Sequence, residues 1–175
     1  MSGPVREPRE AADDSRDARL AEAVRLREQG HHEQARHRLL ALAADRPEDA
    51  EVAYQTAWVH DVLGLEAEAV PFYESSLRGG LSQQDRRDAL LGLGSTYRVL
   101  GQYEKAVSTL RLGLGEFPGD GALQTFLSMA LFNTGHHHES MELLLKLLAA
   151  TSGDPGIGRY RRAIEHYAGD LDETV

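Results

Sequence analysis

The sequence predicts an all-α protein, an α-solenoid of about four helical hairpins that ends in a capping helix. Four glycines, Gly30, Gly64, Gly101 and Gly135, recur at intervals of 34, 37 and 34 residues. Each glycine lies between two stretches whose apolar residues have helical spacing. A regular interval of this length indicates a repeated helix–turn–helix unit with glycine at its turn.

The amino-acid composition excludes several classes of partner and of chemistry. The 175 residues include 28 Asp and Glu against 19 Lys and Arg, a net charge of -9. This balance argues against nucleic acid or anionic membrane surfaces as partners, because both require positive charge. The sequence has no cysteine, which excludes disulfides and thiolate chemistry and suits a reducing compartment. It has neither a secretory signal nor an apolar run long enough to span a membrane, so we expect a cytoplasmic protein.

The chain divides in order into a tail, a repeat domain and a second tail. Residues 1–15 are charged and contain few large apolar side chains, so we expect them to be disordered. Residues 16–170 form one repeat domain, with units at about 16–49, 50–83, 87–120 and 121–154 and a capping helix at about 157–168. Residues 171–175 form a short acidic tail.

The third unit has the clearest pattern. Small residues at Gly94 and Ala106 allow its two helices to approach closely, and larger side chains fill the space around that contact. A proline then stops the second helix. The remaining pattern residues are Leu93, Tyr97, Tyr103, Leu110 and Pro118.

These residues and offsets resemble the tetratricopeptide repeat (TPR), a helix–turn–helix unit of 34 residues. The other three units match less fully but remain in phase. Their residues at the two small positions are Ala23 and Ala35, Ala57 and Ala69, and Ser128 and Ser140. The resemblance covers roughly residues 16–154 and implies a right-handed solenoid whose second apolar stripe lines a concave surface.

Two local features modify the second and third units. The 37-residue interval contains an insertion that ends in a capping-box pattern, Ser82 followed by Asp85. We therefore expect the first helix of the third unit to begin early and to be longer by about one turn. Pro71 lies within the second helix of the second unit, where we expect a slight kink.

The segment 157–168 has an apolar stripe formed by Ile157, Tyr160, Ile164 and Tyr167. A repeat array exposes its last apolar face unless another element covers it. We interpret this segment as a capping helix that covers this face. We expect its charged residues to face water; they are Arg159, Arg161, Arg162 and Glu165.

The stripe that would line the concave surface lies ten, six and three residues before each turn glycine. TPR proteins mostly bind peptides on this surface, so the resemblance implies a protein or peptide partner. The alternative is that these residues pack against one another or against the capping helix. The candidates are Leu20, Val24 and Arg27; Tyr54, Trp58 and Asp61; Leu91, Ser95 and Arg98; and Thr125, Met129 and Phe132, with Phe126 and Asn133 beside them.

The residue types suggest a ligand with apolar anchors and an acidic group, because aromatic and Met side chains accompany Arg27 and Arg98. One subgroup of TPR domains clamps a terminal carboxylate with lysines and asparagines. This lining has no lysine, and Asn133 is its one asparagine, so we do not expect that clamp.

Two turns are rich in histidine, His31-His32 and His136-His137-His138. Zinc requires about four converging ligands, whereas consecutive helical residues point about 100° apart. We therefore interpret these histidines as turn packing and solvent contacts, with metal binding as a remote alternative. We predict no cofactor.

Catalytic motifs are absent, and the glycines in LGLGST fit the repeat better than a phosphate loop. The leading hypothesis is a non-enzymatic interaction module. The alternative is a homodimer, because the segment around 143–148 is apolar nearly all round.

Overall fold

The computed structural model describes residues 8–174, and the side chains of residues 15–174. This part of the chain contains nine helices and no strand. Eight helices pair into four antiparallel hairpins, and α9 follows the last pair. The prediction of an all-α helical repeat solenoid is confirmed. The helices are α1 (Pro8–Glu28), α2 (His32–Asp45), α3 (Ala50–Val62), α4 (Glu66–Arg78), α5 (Gln83–Val99), α6 (Tyr103–Glu116), α7 (Gly121–Asn133), α8 (His137–Thr151) and α9 (Pro155–Ala168).

The four predicted turn glycines all have positive φ, from 72° to 81°. In each turn the N–H of the residue after the glycine donates to a carbonyl five residues back, as Gln102 does to Tyr97 at 2.8 Å. This bond defines the Schellman motif, which requires a left-handed residue that glycine adopts at little cost. The same local geometry therefore closes all four hairpins.

Acidic and hydroxyl side chains begin the helices that follow the longer loops. Asp49, Asp120 and Asp154 each accept a hydrogen bond from the backbone N–H three residues later. The predicted capping box also forms, because Ser82 Oγ accepts from Asp85 N and donates to its carboxylate. Helix α5 begins at Gln83 and has 17 residues, against 13 in α3 and in α7, so its predicted extension is confirmed.

The small residues of the repeat lie where helices meet most closely. A Cβ added to Gly94 would lie 2.5 Å from Leu110 Cγ, so the predicted packing role of this glycine is confirmed. The other small positions are also buried: Ala23, Ala35, Ala57, Ala69, Ala106, Ser128 and Ser140. Pro71 lies inside α4 without ending it.

The chain divides into two compact units, and the boundary falls between Ala89 and Leu90 within α5. In the first unit, α1, α2 and α3 enclose a core that includes Leu20, Leu39 and Val52. In the second unit, α7 packs against α6 and α8, and α9 packs against α8. The single repeat domain over residues 16–170 stays a prediction. A repeat array divides readily because each hairpin contacts chiefly its neighbours.

The structure differs from the expectations at both ends. Helix α1 begins at Pro8, so residues 8–15 are helical rather than a disordered tail, and residues 1–7 lie outside the described residues. At the other end, Ile157 and Ile164 are half-buried, but Tyr160 and Tyr167 are 61% and 56% exposed. Helix α9 therefore buries only part of its apolar stripe. Within residues 8–174, no helix has the length and apolar character needed to cross a membrane.

Candidate partner-binding surfaces

The predicted lining residues fall into two sets. The first unit contains those of α1 and α3, and the second contains those of α5 and α7. Within each of these helices the predicted residues lie on one face, because residues three and four positions apart are on the same side of a helix.

In the first unit, Arg27 lies flat on an aromatic surface. Its guanidinium carbon is 3.5 Å from the centre of the Trp58 ring, which is within cation–π range. The ring of Tyr54 lies 5.7 Å from that of Trp58. Tyr54 itself is only 2% exposed, so the expectation that it lines an open surface is not met, and it instead packs against the Trp58 ring.

Asp61, the third predicted residue of α3, accepts a hydrogen bond from Tyr73 Oη at 2.8 Å. Burial raises the pKa of Tyr73, and the negative charge of Asp61 raises it further. Burial likewise raises the pKa of Tyr54. Both phenols therefore remain neutral at physiological pH, and the Tyr54 ring packs between those of Trp58 and Tyr73, at 5.7 and 6.5 Å.

Two polar atoms of this unit are buried without a hydrogen-bond partner among the described residues, Arg27 Nε and Gln55 Oε1. Arg27 is 9% exposed and Gln55 is 8% exposed. Burial lowers the pKa of Arg27, which nevertheless remains a cation because arginine titrates far above neutral pH. The first unit thus has one hydrogen-bond donor, Arg27 Nε, and one acceptor, Gln55 Oε1, that have no partner among the described residues.

A cavity of about 430 Å³ lies beside these residues, with Leu20, Val24 and Gln55 in its wall. Its polar edge is held by Arg16, which donates from Nε and Nη2 to both carboxylate oxygens of Asp49 at 2.8 and 2.7 Å. This paired geometry fixes the start of α3 against α1.

In the second unit, a pocket of about 300 Å³ has predominantly apolar walls. Met129 and Phe132 of α7 are 39% and 61% exposed, and Met141 and Leu144 of α8 are 48% and 38% exposed. Arg98 lies at the pocket, and its buried Nε has no hydrogen-bond partner within the described part of the chain. Ser128, Asn133 and Ser140 complete the lining.

The remaining predicted residues of this unit are Leu91, Ser95, Thr125 and Phe126, and all four are half-buried. Sequence reasoning missed Met141 and Leu144, because it assigned the lining to first helices alone. The sequence did contain one signal for these two residues, because the segment that forms α8 is apolar on nearly every side. The two lysines lie elsewhere in this unit: Lys105 Nζ is 5.2 Å from the Tyr97 ring, and Lys146 pairs with Glu142.

The histidine-rich turn before α8 directs its rings to three different partners. His136 Nδ1 is 2.8 Å from Thr134 Oγ1, the His137 ring packs 4.7 Å from that of Phe132, and His138 Nε2 is 3.6 Å from an Asp172 oxygen. Within the part of the chain that the structure describes, no three His, Cys, Asp or Glu side chains converge as metal ligands.

The repeated hairpins, turn glycines and small packing residues define a helical repeat protein. The family model described as tetratrico peptide repeat matches residues 50–171, which is more than half of the chain. The chain therefore belongs to the tetratricopeptide repeat family, and its fold is that of a protein-interaction module. No curated protein sequence matches it.

Solved structures with this fold include MamA and PilF. The MamA structure from Desulfovibrio magneticus RS-1 is 18% identical with a TM-score of 0.71, and the match covers 90% of each chain. PilF from Pseudomonas aeruginosa is 18% identical with a TM-score of 0.65, over 90% of this chain and 71% of that one. Identities this low establish a common fold and nothing more.

Proposed function

We propose that this protein is a non-catalytic interaction module that binds a peptide or protein partner through exposed residues of the predicted lining, joined in the second unit by Met141 and Leu144 of α8. The pocket of the second unit carries the proposal. Met129, Phe132, Met141 and Leu144 leave apolar surface exposed around one cavity, and Arg98 adds a cation. Exposed apolar groups clustered in this way are typical of protein-binding sites, and Met side chains adapt readily to a partner.

The test is affinity capture from a lysate of the source organism with the wild-type protein and a Phe132→Ala variant. Phe132 is 61% exposed, so its truncation leaves the fold intact while removing the largest exposed ring of the pocket. We expect a partner that wild type retains and the variant loses, since a central aromatic anchor typically contributes about 2 kcal/mol or more to binding.

The matched control is Leu112→Ala. Leu112 is an apolar residue of α6 in the same unit, is 52% exposed, and does not line the pocket. It should capture the partner as wild type does. Capture that is equal for Phe132→Ala and wild type would place the interaction elsewhere and contradict the proposal.

Self-association is the alternative, and one observation favours it. Leu148 is exposed on the helix that carries Met141 and Leu144, and both tyrosines of α9, which packs against α8, are exposed as well. Sedimentation velocity from low to high micromolar concentration measures this directly. A dimer that dissociates in a Leu144→Glu/Leu148→Glu variant would support a homodimer, and a monomer throughout would exclude it.

A further inference from the structure

We propose that Arg27, stacked on Trp58, is the site at which the first unit binds an acidic side chain of an extended partner peptide, with Gln55 accepting a backbone N–H of the same peptide. This inference rests on the proposed interaction function and names the ligand chemistry of a second surface. It uses none of the pocket residues of the second unit.

Arg27 is a buried cation without a hydrogen-bond partner for its Nε among the described residues. The side chain is nine-tenths buried, and no carboxylate among the described residues forms an ion pair with it. A buried cation without a counter-ion is costly, and the Trp58 ring compensates only in part. A bound carboxylate would supply the missing charge and would accept hydrogen bonds from the guanidinium.

The nearby acidic group of the unit does not fill this role. Asp61 lies on the same lining of α3, but it accepts the hydrogen bond of the buried Tyr73 hydroxyl. Glu28 follows Arg27 in α1 and is exposed to water. Arg27 therefore has no carboxylate partner among the described residues of its unit, and the acidic side chain of a bound peptide can pair with it.

Gln55 indicates that the ligand is a peptide and not a small anion. Its unused Oε1 is a hydrogen-bond acceptor, so it favours an N–H donor and repels an anion. Gln55 and Trp58 are three residues apart in α3 and so lie on one face of the helix. An extended peptide supplies both groups, a backbone N–H for Gln55 and an acidic side chain for Arg27.

The apolar neighbours indicate which residues flank the acid. Leu20, Ala21 and Val24 form the apolar side of the 430 Å³ cavity beside Gln55. The charged side of this cavity is formed by Arg16, Asp17 and Glu51. The net charge of -9 repels an acidic ligand at long range. Apolar side chains in the peptide are therefore needed to hold it against the apolar side of the cavity.

The experiment uses two pools of blocked nonapeptides that contain no tryptophan. Both pools have Leu, Val, Ala, Ser and Gly at the variable positions, with a central Glu in one pool and a central Gln in the other. Immobilised full-length protein selects from each pool, and the best peptides are titrated by the fluorescence of Trp58, the one tryptophan of the chain. We expect the Glu peptides to bind at least about tenfold more tightly than their Gln counterparts.

Two variants complete the test. Arg27→Met should abolish the preference for Glu and should unfold at the same urea concentration as wild type or a higher one, because it removes a buried cation. Arg25→Met replaces an exposed arginine of the same helix and should leave the preference unchanged. A purely structural Arg27 would instead make Arg27→Met less stable without changing selectivity.

Three results would overturn the inference: equal binding of the Glu and Gln peptides, a preference that survives Arg27→Met, or no selection from either pool. The outcome is independent of the pocket in the second unit. Loss of the partner in Phe132→Ala, together with unchanged binding in Arg27→Met, would leave the interaction function in place and reject this site alone.

Discussion

Arg27 in the first unit and Arg98 in the second each precede their turn glycine by three residues. The two arginines occupy the same position of the repeat, yet their surroundings differ. Arg27 is stacked on Trp58 and nine-tenths buried, whereas Arg98 borders an open pocket with Met129 and Phe132. The same position of the repeat thus does not give the same burial, because the neighbouring helix determines how much of the side chain water reaches.

The two units also differ at the small position seven residues before the turn glycine. The second hairpin has Ala57 there, and the third has Gly94 directly against Leu110. Gly94→Val should destabilise the protein by about 3 kcal/mol, because its side chain would overlap a fully buried leucine. Urea denaturation measures this, and Gly115→Val is the control because its added Cβ meets no atom within 4 Å. Because valine forms helix better than glycine, Gly115→Val should cause no loss, and similar losses in both variants would contradict the packing explanation.

A smaller effect is expected nine residues after the turn glycine, where the first unit has Tyr73 and the second has Leu110. Tyr73→Phe keeps the ring but removes the hydrogen bond to Asp61, which should lower the free energy of unfolding by about 1.5 to 2 kcal/mol. Urea denaturation at pH 7 is again the measurement. An unchanged midpoint would mean that water replaces the hydroxyl at Asp61.

The ion pair at the start of α3 predicts a pH-dependent difference. Burial acts to raise the pKa of Asp49, but the hydrogen bonds from Arg16 and from the N–H of Val52 outweigh it and lower the pKa. The stabilisation is therefore present above the ordinary value of 3.8 and is lost as the pH falls through the lowered pKa. Asp49→Asn should cost about 1 kcal/mol at pH 7, and the difference from wild type should shrink below pH 3.8.

Asp154→Asn provides the comparison for this prediction. Asp154 begins α9 with the same backbone hydrogen bond, and no arginine among the described residues pairs with it. Because Asn is also a good N-cap, Asp154→Asn should cost less than about 0.5 kcal/mol. Equal losses in the two variants would assign the effect to capping instead of to Arg16.

The smallest effect concerns the fourth hairpin, where Ser140 Oγ donates to Ser128 O at 2.7 Å. The second hairpin has alanine at both equivalent positions, Ala57 and Ala69, and needs no such bond. Ser140→Ala should cost about 0.5 to 1 kcal/mol, because one buried carbonyl loses a donor. A midpoint in urea that is equal to or higher than that of wild type would contradict this expectation.

Features fixed by local sequence could be predicted. The turn glycines, the Ser82 capping box and the longer α5 each depend on residues that are close along the chain. The packing role of Gly94 also followed from its place in the repeat. Such features need no knowledge of distant contacts, so their residue types and spacing are sufficient.

Features that depend on distant residues were missed. The ion pair of Arg16 with Asp49 joins residues 33 apart, and neither position belongs to a repeat pattern. The burial of Tyr54 was also missed. Helical spacing identifies the face of α3 on which Tyr54 lies, but not how deeply its side chain is buried. Here that burial depends on contacts with Trp58 and Tyr73. The exposure of Tyr160 depends on how much of α9 rests on α8, and a stripe of apolar residues does not contain that information.

The positions of the two lysines have a practical consequence. Both belong to the second helix of a hairpin in the second unit, Lys105 in α6 and Lys146 in α8. Side-chain amine chemistry, such as dye labelling or coupling to a sensor surface, therefore modifies the second unit and leaves the side chains of the first unit untouched. Protein tethered through these lysines presents the Arg27 surface unmodified. A substitution to lysine in α2 would provide a second, independent orientation.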